Sequence, residues 1–300
     1  MQPDNNAVIY YNGHFLEYQD VHLNPLDRGF VFGDGIYEVI RVYAGIPFKL
    51  ESHLNRLDHS LSTIRLDPPP ATDWQKIIFE LLHRNSLTET GAVVYIQVTR
   101  GSAPRTHAFP PMAKPTVLAM VVPTESPRVD QESGIMVMTH PDERWERCDI
   151  KSTNLLPNIL AYQKAREYGA SEALLHRGVT ITEASHTTVF CVRDGHLLTH
   201  PLTTRILPGI TREVIFHICA ELNIEIVQEP ATMSDLAYLD EMFICGTTTE
   251  IIPVTHYDQQ PVGTGKPGPV TRIIQKKFIE TTTAAPPPFT EFCKSDNPIT

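Results

Sequence analysis

Two-residue turn signals between apolar runs recur along this 300-residue chain, and they commit both halves of it to short antiparallel strands. Val8-Ile9-Tyr10-Tyr11, Asn12-Gly13 and His14-Phe15-Leu16 read as a hairpin, and Tyr37 to Tyr43, Ala44-Gly45 and Ile46 to Leu50 read as a second. Helical spacing follows. Leu54, Leu57, Leu61 and Ile64 predict a helix over 51–65, which Pro68-Pro69-Pro70 terminates. Thr72-x-x-Gln75 has the form of a capping box, opening a helix with Trp74, Ile77, Ile78, Leu81 and Leu82 inward. Two β runs, Ala92 to Thr99 and Pro115 to Val122, flank a polar loop over 100–114. Strands and helices that alternate irregularly define the class as α+β.

Pro123-Thr124-Glu125-Ser126-Pro127 has the composition of a linker. The expected division is a small domain over 1–122, a linker over 123–128, a larger domain over 129–281 and a disordered tail over 282–300, rich in proline and poor in large apolar groups. The larger domain starts with a strand, Gly134 to Thr139. A helix opened by Pro157 and closed by Gly169 comes next, then a meander over 171–200 with Asp194-Gly195 as a hairpin turn. A helix over 211–222, a strand over 224–228, a short helix near 234–239, the strand Met242 to Cys245, a last hairpin and a helix over 269–281 complete it.

Composition removes several classes of function. Twenty-five basic against 35 acidic residues leave a net charge of −10, and no basic stripe carries interleaved aromatics, which argues against nucleic-acid binding. Five cysteines, an odd number with no Cys-x-x-Cys, suggest neither a disulfide framework nor a thiolate zinc site, and a reducing cytoplasm is the simpler expectation. The polar N-terminus has no secretory pattern, no apolar run reaches membrane-spanning length, and the histidines show no metal-ligand spacing, so no membrane and no metal are expected.

The chemistry concentrates at a few positions. Lys151 stands in Arg147-Cys148-Asp149-Ile150-Lys151-Ser152-Thr153-Asn154, and Glu183 is a lone acid in an apolar strand. A lysine to form a Schiff base, and an acid to keep a proton on a pyridine nitrogen, are what pyridoxal phosphate chemistry asks of a protein. A solvated surface lysine is the plainer alternative. Gly209-Ile210-Thr211 opens a helix whose free N–H groups suit a phosphate, or Thr211 is an ordinary cap. Gly246-Thr247-Thr248-Thr249 offers hydroxyls to phosphate oxygens, or is a polar turn. Arg56 could add positive charge from the polar side of its helix, or remain solvated there. Arg105 and His107 can point the same way from an extended loop and suit a carboxylate; a mobile basic loop is the alternative. Tyr37, beside a glycine-rich stretch, is a further donor or a half-buried strand tyrosine.

Assembled, these residues resemble the fold type IV pyridoxal-phosphate-dependent aminotransferases, and within them the branch acting on D-amino acids. The likeness runs from about residue 7 to 281. It is carried by Asp27-Arg28-Gly29-Phe30-Val31-Phe32-Gly33-Asp34-Gly35-Ile36-Tyr37-Glu38, by Gln97 to Gly101 with Pro104-Arg105-Thr106-His107, by Arg147 to Leu156, and by Gly209 to Arg212. The Arg-x-His element discriminates, because branched-chain aminotransferases and aminodeoxychorismate lyases of the same fold lack it at this place.

The resemblance implies a small α/β domain and a larger β-rich pseudo-barrel domain in a homodimer. It implies pyridoxal 5'-phosphate as cofactor, Lys151 as Schiff-base lysine and proton shuttle, and Glu183 on the ring nitrogen. Arg56, Ile210, Thr211 and Thr247 would hold the phosphate, and Tyr37, Arg105 and His107 the substrate carboxylate. It implies transamination of D-alanine or D-glutamate with 2-oxo acids such as 2-oxoglutarate or pyruvate. An L-branched-chain or (R)-amine transaminase on this fold, and a catalytically silent cofactor-binding protein, are the alternatives. The chain departs from the family pattern at Ser185-His186-Thr187, where Ser-x-Ser is common, and at Gly246, where serine is common.

Overall fold

A computed structural model describes residues 3–67, 72–112 and 114–283. The Pro68-Pro69-Pro70 stop and the tail beyond 283 lie outside the described residues. The chain divides into two compact units, with breaks after Glu125 and after Ile279; the described residues from Glu280 onward group with the first unit.

The first unit begins with the expected hairpin. Its strands, β1 (Val8–Tyr11) and β2 (His14–Glu17), meet at Asn12 and Gly13, whose positive φ angles of 49° and 95° match the twist of a tight hairpin. A short helix absent from the sequence expectation follows, α1 (Arg28–Phe32). The Asp27 carboxylate caps it by accepting from the Gly29 N–H, and Gly33, at φ 68°, ends it.

The second hairpin joins β3 (Gly35–Tyr43) to β4 (Ile46–Pro47). Its second strand was expected to reach Leu50 and stops at Pro47, because Lys49 turns left-handed at φ 52° and Leu50 opens α2 (Leu50–Thr63). On α2 the buried stripe is His53, Arg56, Leu57, Ser60 and Leu61. The expectation that Arg56 lies on the solvated side is therefore corrected: three polar residues share the inward stripe with the leucines.

Helix α3 (Trp74–Arg84) buries the five apolar residues foreseen for it. Its cap is Asp73, whose carboxylate accepts from the Lys76 N–H at 3.0 Å, in place of the expected Thr72 box. Strands β5 (Ala92–Thr99) and β6 (Thr116–Pro123) complete a wholly antiparallel sheet in the order β2-β1-β6-β5-β3-β4. Ile36, Ile40, Val94 and Ile96 from the sheet, with Leu57, Leu61, Ile78, Leu81 and Leu82 from the helices, are fully buried.

The second unit has near its start an unforeseen short helix, α4 (Arg128–Ser133), which begins at the last residue of the stretch read as linker, and continues with β7 (Ile135–Pro141). Helix α5 (Leu156–Tyr168) ends at Gly169 with φ 88°, as the Pro157 and Gly169 signals required. The meander holds β8 (Glu172–Arg177), β9 (Thr180–Ala184), β10 (Thr188–Arg193) and β11 (His196–Leu198). Helix α6 (Ile210–Leu222) precedes β12 (Ile226–Val227), β13 (Glu241–Gly246), β14 (Glu250–Tyr257), β15 (Gln260–Pro261) and α7 (Pro269–Thr283).

The sheet runs β12-β11-β10-β13-β14-β7-β8-β9, with β15 on β14. It is mixed, because β7 pairs in parallel with both β8 and β14. The path imposes curvature. Strand β9 ends the order and β10 stands five positions inward, about 24 Å away across a flat sheet. Only Ser185, His186 and Thr187 connect them, and four Cα steps reach at most about 15 Å. The sheet curls into a half-barrel, the β-rich arrangement expected, and the Ala184 N–H bonds the Thr187 carbonyl across the turn at 2.9 Å. Its core holds Val137, Leu174, Ile181, Met242, Ile244 and Val254.

Candidate active site

The β9–β10 turn gathers one set of the foreseen residues. Glu183, next to last on β9, is only 4% exposed. Burying a carboxylate is costly unless its oxygens are satisfied. Here Arg144 Nη1 donates to Oε2 at 2.6 Å, and the Leu207 N–H donates to Oε1 at 3.1 Å. Burial pushes the Glu183 pKa up, and Arg144 and the Leu207 N–H pull against it without cancelling it.

Arg144 is itself held rigid. Its Nε and Nη2 fork onto Asp142 at 2.9 and 3.0 Å. Asp142 also accepts from Arg177 Nε at 3.2 Å and from the Thr182 hydroxyl at 2.9 Å. Burial raises the Asp142 carboxyl, but Arg144, Thr182 and Arg177 outweigh it and bring it down to about 2. This chain of alternating charges behind Glu183 was not foreseen. The only available signal was that a lone buried acid demands a cation. Nothing in the sequence says which of its arginines answers.

Leu207, which donates to Glu183, lies three residues before α6. The helix starts at Gly209, whose missing side chain provides no cap, and a Cβ there would stand 2.9 Å from the Thr188 hydroxyl. The Glu213 N–H bonds the Gly209 carbonyl at 3.1 Å. The N–H groups of Ile210 and Thr211 precede that bond, in the first turn, where an α-helix has no acceptor of its own to offer. Such a start favours an anion. Ile210 and Thr211 are buried, and Arg212 keeps its Nε buried without a partner among the described residues. Strand pairing brings the threonine turn to the same place. Thr188 pairs with Cys245, so Gly246 lies beside Thr187, with 3.4 Å separating an added Cβ from the Thr187 methyl, and Thr247 follows directly.

Lys151 is half-buried and sits between buried Ile150 and Ser152. Successive tight turns shape its backbone: the Ile150 N–H bonds the Arg147 carbonyl at 3.2 Å, and the Ser152 N–H bonds the Ile150 carbonyl at 2.8 Å. Its charge is felt by His186, the departure residue at the turn. His186 Nδ1 lies 2.9 Å from Glu172 Oε2. Burial lowers the His186 pKa and Lys151 lowers it further, yet the Glu172 carboxylate outweighs both and holds it above the ordinary histidine value. Glu183, Ile210, Thr211 and Thr247 thus flank one turn, with Lys151 within electrostatic reach of its His186.

The remaining foreseen residues belong to the first unit. Tyr37 lies on β3, half-buried, and stacks on Tyr95 with 5.8 Å between ring centroids. Arg56 is 7% exposed, and its Nε and Nη2 donate to the two oxygens of fully buried Glu38 at 3.0 and 2.7 Å. Arg105 and His107 are exposed on the 100–114 loop, and both approach the Phe32 ring: the Arg105 guanidinium is 5.0 Å and the His107 ring 5.6 Å from its centroid.

Known proteins match over most of this chain. The family model for Amino-transferase class IV covers residues 35–257. The D-alanine aminotransferase of Staphylococcus haemolyticus is 43% identical over 272 residues, 90% of this chain and 96% of its own length. That of Bacillus licheniformis is 40% identical over 89% of this chain and 94% of its own length. Among solved structures, the branched-chain amino acid aminotransferase of Escherichia coli superposes with a TM-score of 0.85 at 27% identity, covering 93% of this chain and 95% of that one. The branched-chain aminotransferase of Thermoproteus uzoniensis with norvaline superposes with a TM-score of 0.82 at 26% identity, covering 92% of this chain and 94% of that one. An uncapped helix start, a buried glutamate and a half-buried lysine at one turn, within a match of this length, place the chain in the class IV aminotransferase family.

Proposed function

We propose that the protein is a pyridoxal-phosphate-dependent D-amino-acid transaminase, moving an amino group from D-alanine or D-glutamate to a 2-oxo acid such as 2-oxoglutarate or pyruvate. The observation that carries this reading is the convergence on one turn of a half-buried lysine, a buried carboxylate and a helix start with no cap of its own. The donor set fits the cofactor: N–H groups and hydroxyls for a phosphate, an anion for a ring nitrogen, and an amine for an aldehyde. The D-alanine aminotransferases that are 40–43% identical to it over 89–90% of the chain support the substrate class.

Pyridoxal phosphate, when bound, supplies a ring that accepts the electron pair left when the substrate Cα–H bond breaks. The protein's own groups do the rest. Lys151 Nζ removes the proton from Cα and carries it until it is returned. Glu183, held by Arg144 and the Leu207 N–H, keeps a proton on the ring nitrogen. The Ile210 N–H and the Thr211 and Thr247 hydroxyls hold the phosphate, with Arg56 as a further cation. Tyr37, Arg105 and His107 hold the α-carboxylate.

We further propose a homodimer. Arg105 and His107 are exposed, and the apolar side chains of Leu156, Ile159 and Leu160 on α5 are more than half exposed, which a partner's surface would cover. The buried free thiols of Cys148, Cys191, Cys219 and Cys245 accord with a cytoplasmic site of action.

The test is an absorbance spectrum of cofactor-loaded protein without any acceptor. D-alanine alone should remove the visible band of the lysine-bound cofactor, with pyruvate formed. Loss of that band with L-leucine and not with D-alanine would move the protein to the branched-chain group.

A further inference from the structure

The loop bearing Arg105 and His107 is exposed, yet the structure gives it a fixed seat, and two residues with no assigned role provide it. Arg28 opens α1 and is 4% exposed. Its Nη1 donates to the Thr106 carbonyl at 2.7 Å and to the Ala108 carbonyl at 3.4 Å, the residues that alternate with Arg105 and His107. Its Nε donates to Asp34 at 2.7 Å, and its guanidinium lies 4.8 Å from the centroid of Phe32. That same ring neighbours Arg105 and His107. One arginine therefore grips the loop backbone on both sides of His107, while one phenyl ring supports the two side chains.

The loop is anchored on either side of this grip. The Arg28 N–H bonds the Gly101 carbonyl at 2.9 Å, and at the far end Phe109 sits 3.7 Å from the Arg100 guanidinium. Arg100 also forks onto Asp34 at 2.9 and 3.0 Å. Asp34 thus ties Arg28 and Arg100 to one carboxylate. A carbonyl acceptor bound by a charged donor is held more strongly than one bound by water, and the loop is tightly bent here, the Thr106 N–H bonding the Pro104 carbonyl at 2.8 Å, so a grip on the carbonyls of 106 and 108 fixes the backbone that carries residues 105 and 107.

We propose that Arg28 and Phe32 are positioning residues that set the reach and direction of Arg105 and His107, and through them the affinity for the substrate α-carboxylate. This rests on the reading of Arg105 and His107 as the carboxylate trap. The contribution is to KM rather than to proton transfer, because neither residue belongs to the Lys151 and Glu183 cluster.

The experiment uses the full-length, cofactor-loaded enzyme with D-alanine and excess 2-oxoglutarate. Arg28→Met keeps the stem over Phe32 and removes the donors; Asp34 keeps both bonds from Arg100, so no buried carboxylate is stranded. Loss of a charged donor to the loop carbonyls should raise KM about tenfold, with kcat within about twofold of the parent. Phe32→Leu should act in the same sense, and Arg28→Lys should recover part of the loss. Hydrogen–deuterium exchange of residues 103–108 should quicken in Arg28→Met without cofactor or substrate present. In an R105A/H107A background the same change should leave KM where that background puts it. An unchanged KM, unchanged exchange, or an undiminished effect in R105A/H107A would overturn the positioning role. An R105A/H107A enzyme with the parent KM would instead overturn the trap itself.

Discussion

Removing Arg144 should cost stability in a pH-dependent way that separates charge from packing. Arg144→Met deletes the 2.6 Å bond to Glu183 and the fork onto Asp142 at 2.9 and 3.0 Å, while the methionine stem fills much of the same space. Both carboxylates are buried, the Asp142 side chain completely. Glu183 keeps the Leu207 N–H, and Asp142 keeps Arg177 and Thr182. Breaking a buried pair by removing one partner costs about 3–5 kcal/mol.

The sign with pH follows from both acids. Asp142 has its pKa depressed to about 2 in the folded protein, so it stabilises the fold above its unfolded pKa and loses that contribution as pH falls through the folded value. Removing Arg144 takes part of that contribution away. Glu183 is already raised by burial, so the folded state prefers it protonated and stability declines as pH rises through its folded pKa. Without Arg144 the folded pKa rises further. The Glu183 shift makes the penalty larger at pH 8 than at pH 5, falling by about 1.4 kcal/mol per pH unit for each proton the variant's folded state takes up beyond the parent's, whereas the Asp142 contribution is the same at both and declines only below about pH 4.

Urea unfolding of cofactor-free parent and variant, followed by Trp145 fluorescence beside the substituted residue, measures this directly. A penalty equal at pH 5 and pH 8 would refute the electrostatic account and leave only lost packing.

Two further outcomes follow from the same geometry. Gly209→Ala places a methyl 2.9 Å from the Thr188 hydroxyl at the start of α6, so cofactor affinity, measured by equilibrium dialysis, should fall while phosphate-free pyridoxal binds with undiminished affinity. Phe243→Ala removes a fully buried ring stacked 5.1 Å from Phe190 at 11°, and should lower stability by about 3–5 kcal/mol in urea titration with no change in KM for D-alanine.

Much of the local structure was legible because its causes are local. Asn12-Gly13, Ala44-Gly45 and Asp194-Gly195 adopt the positive φ angles that tight hairpins require, and Gly169 ends α5 for the same reason. Five apolar residues at helical spacing buried the right face of α3. Errors arose where a local signal had a competitor a residue or two away. Asp73 displaced Thr72 as cap, since its carboxylate reaches the Lys76 N–H, and a left-handed Lys49 cut short the strand expected to reach Leu50. On α2 the leucine spacing predicted an apolar inward face. A salt bridge between Arg56 and buried Glu38 made charged and polar residues part of that face, and a one-dimensional pattern carries no trace of a partner eighteen residues away.

The sequence alone singled out the groups proposed to react. A lysine among small polar residues, an acid in an apolar strand and glycine at a helix start are chemical statements that need no coordinates. Tertiary structure decided what supports them. The three-residue link from β9 to β10 forces the sheet to curl, and that curl brings the turn after Glu183 beside the start of α6 and the end of β13. It also decided that Arg144 answers Glu183, and that His186 answers Glu172 within range of Lys151. Charge pairing in a buried site depends on distance through space, and distance through space is set by the packing of the whole sheet, which no stretch of sequence contains.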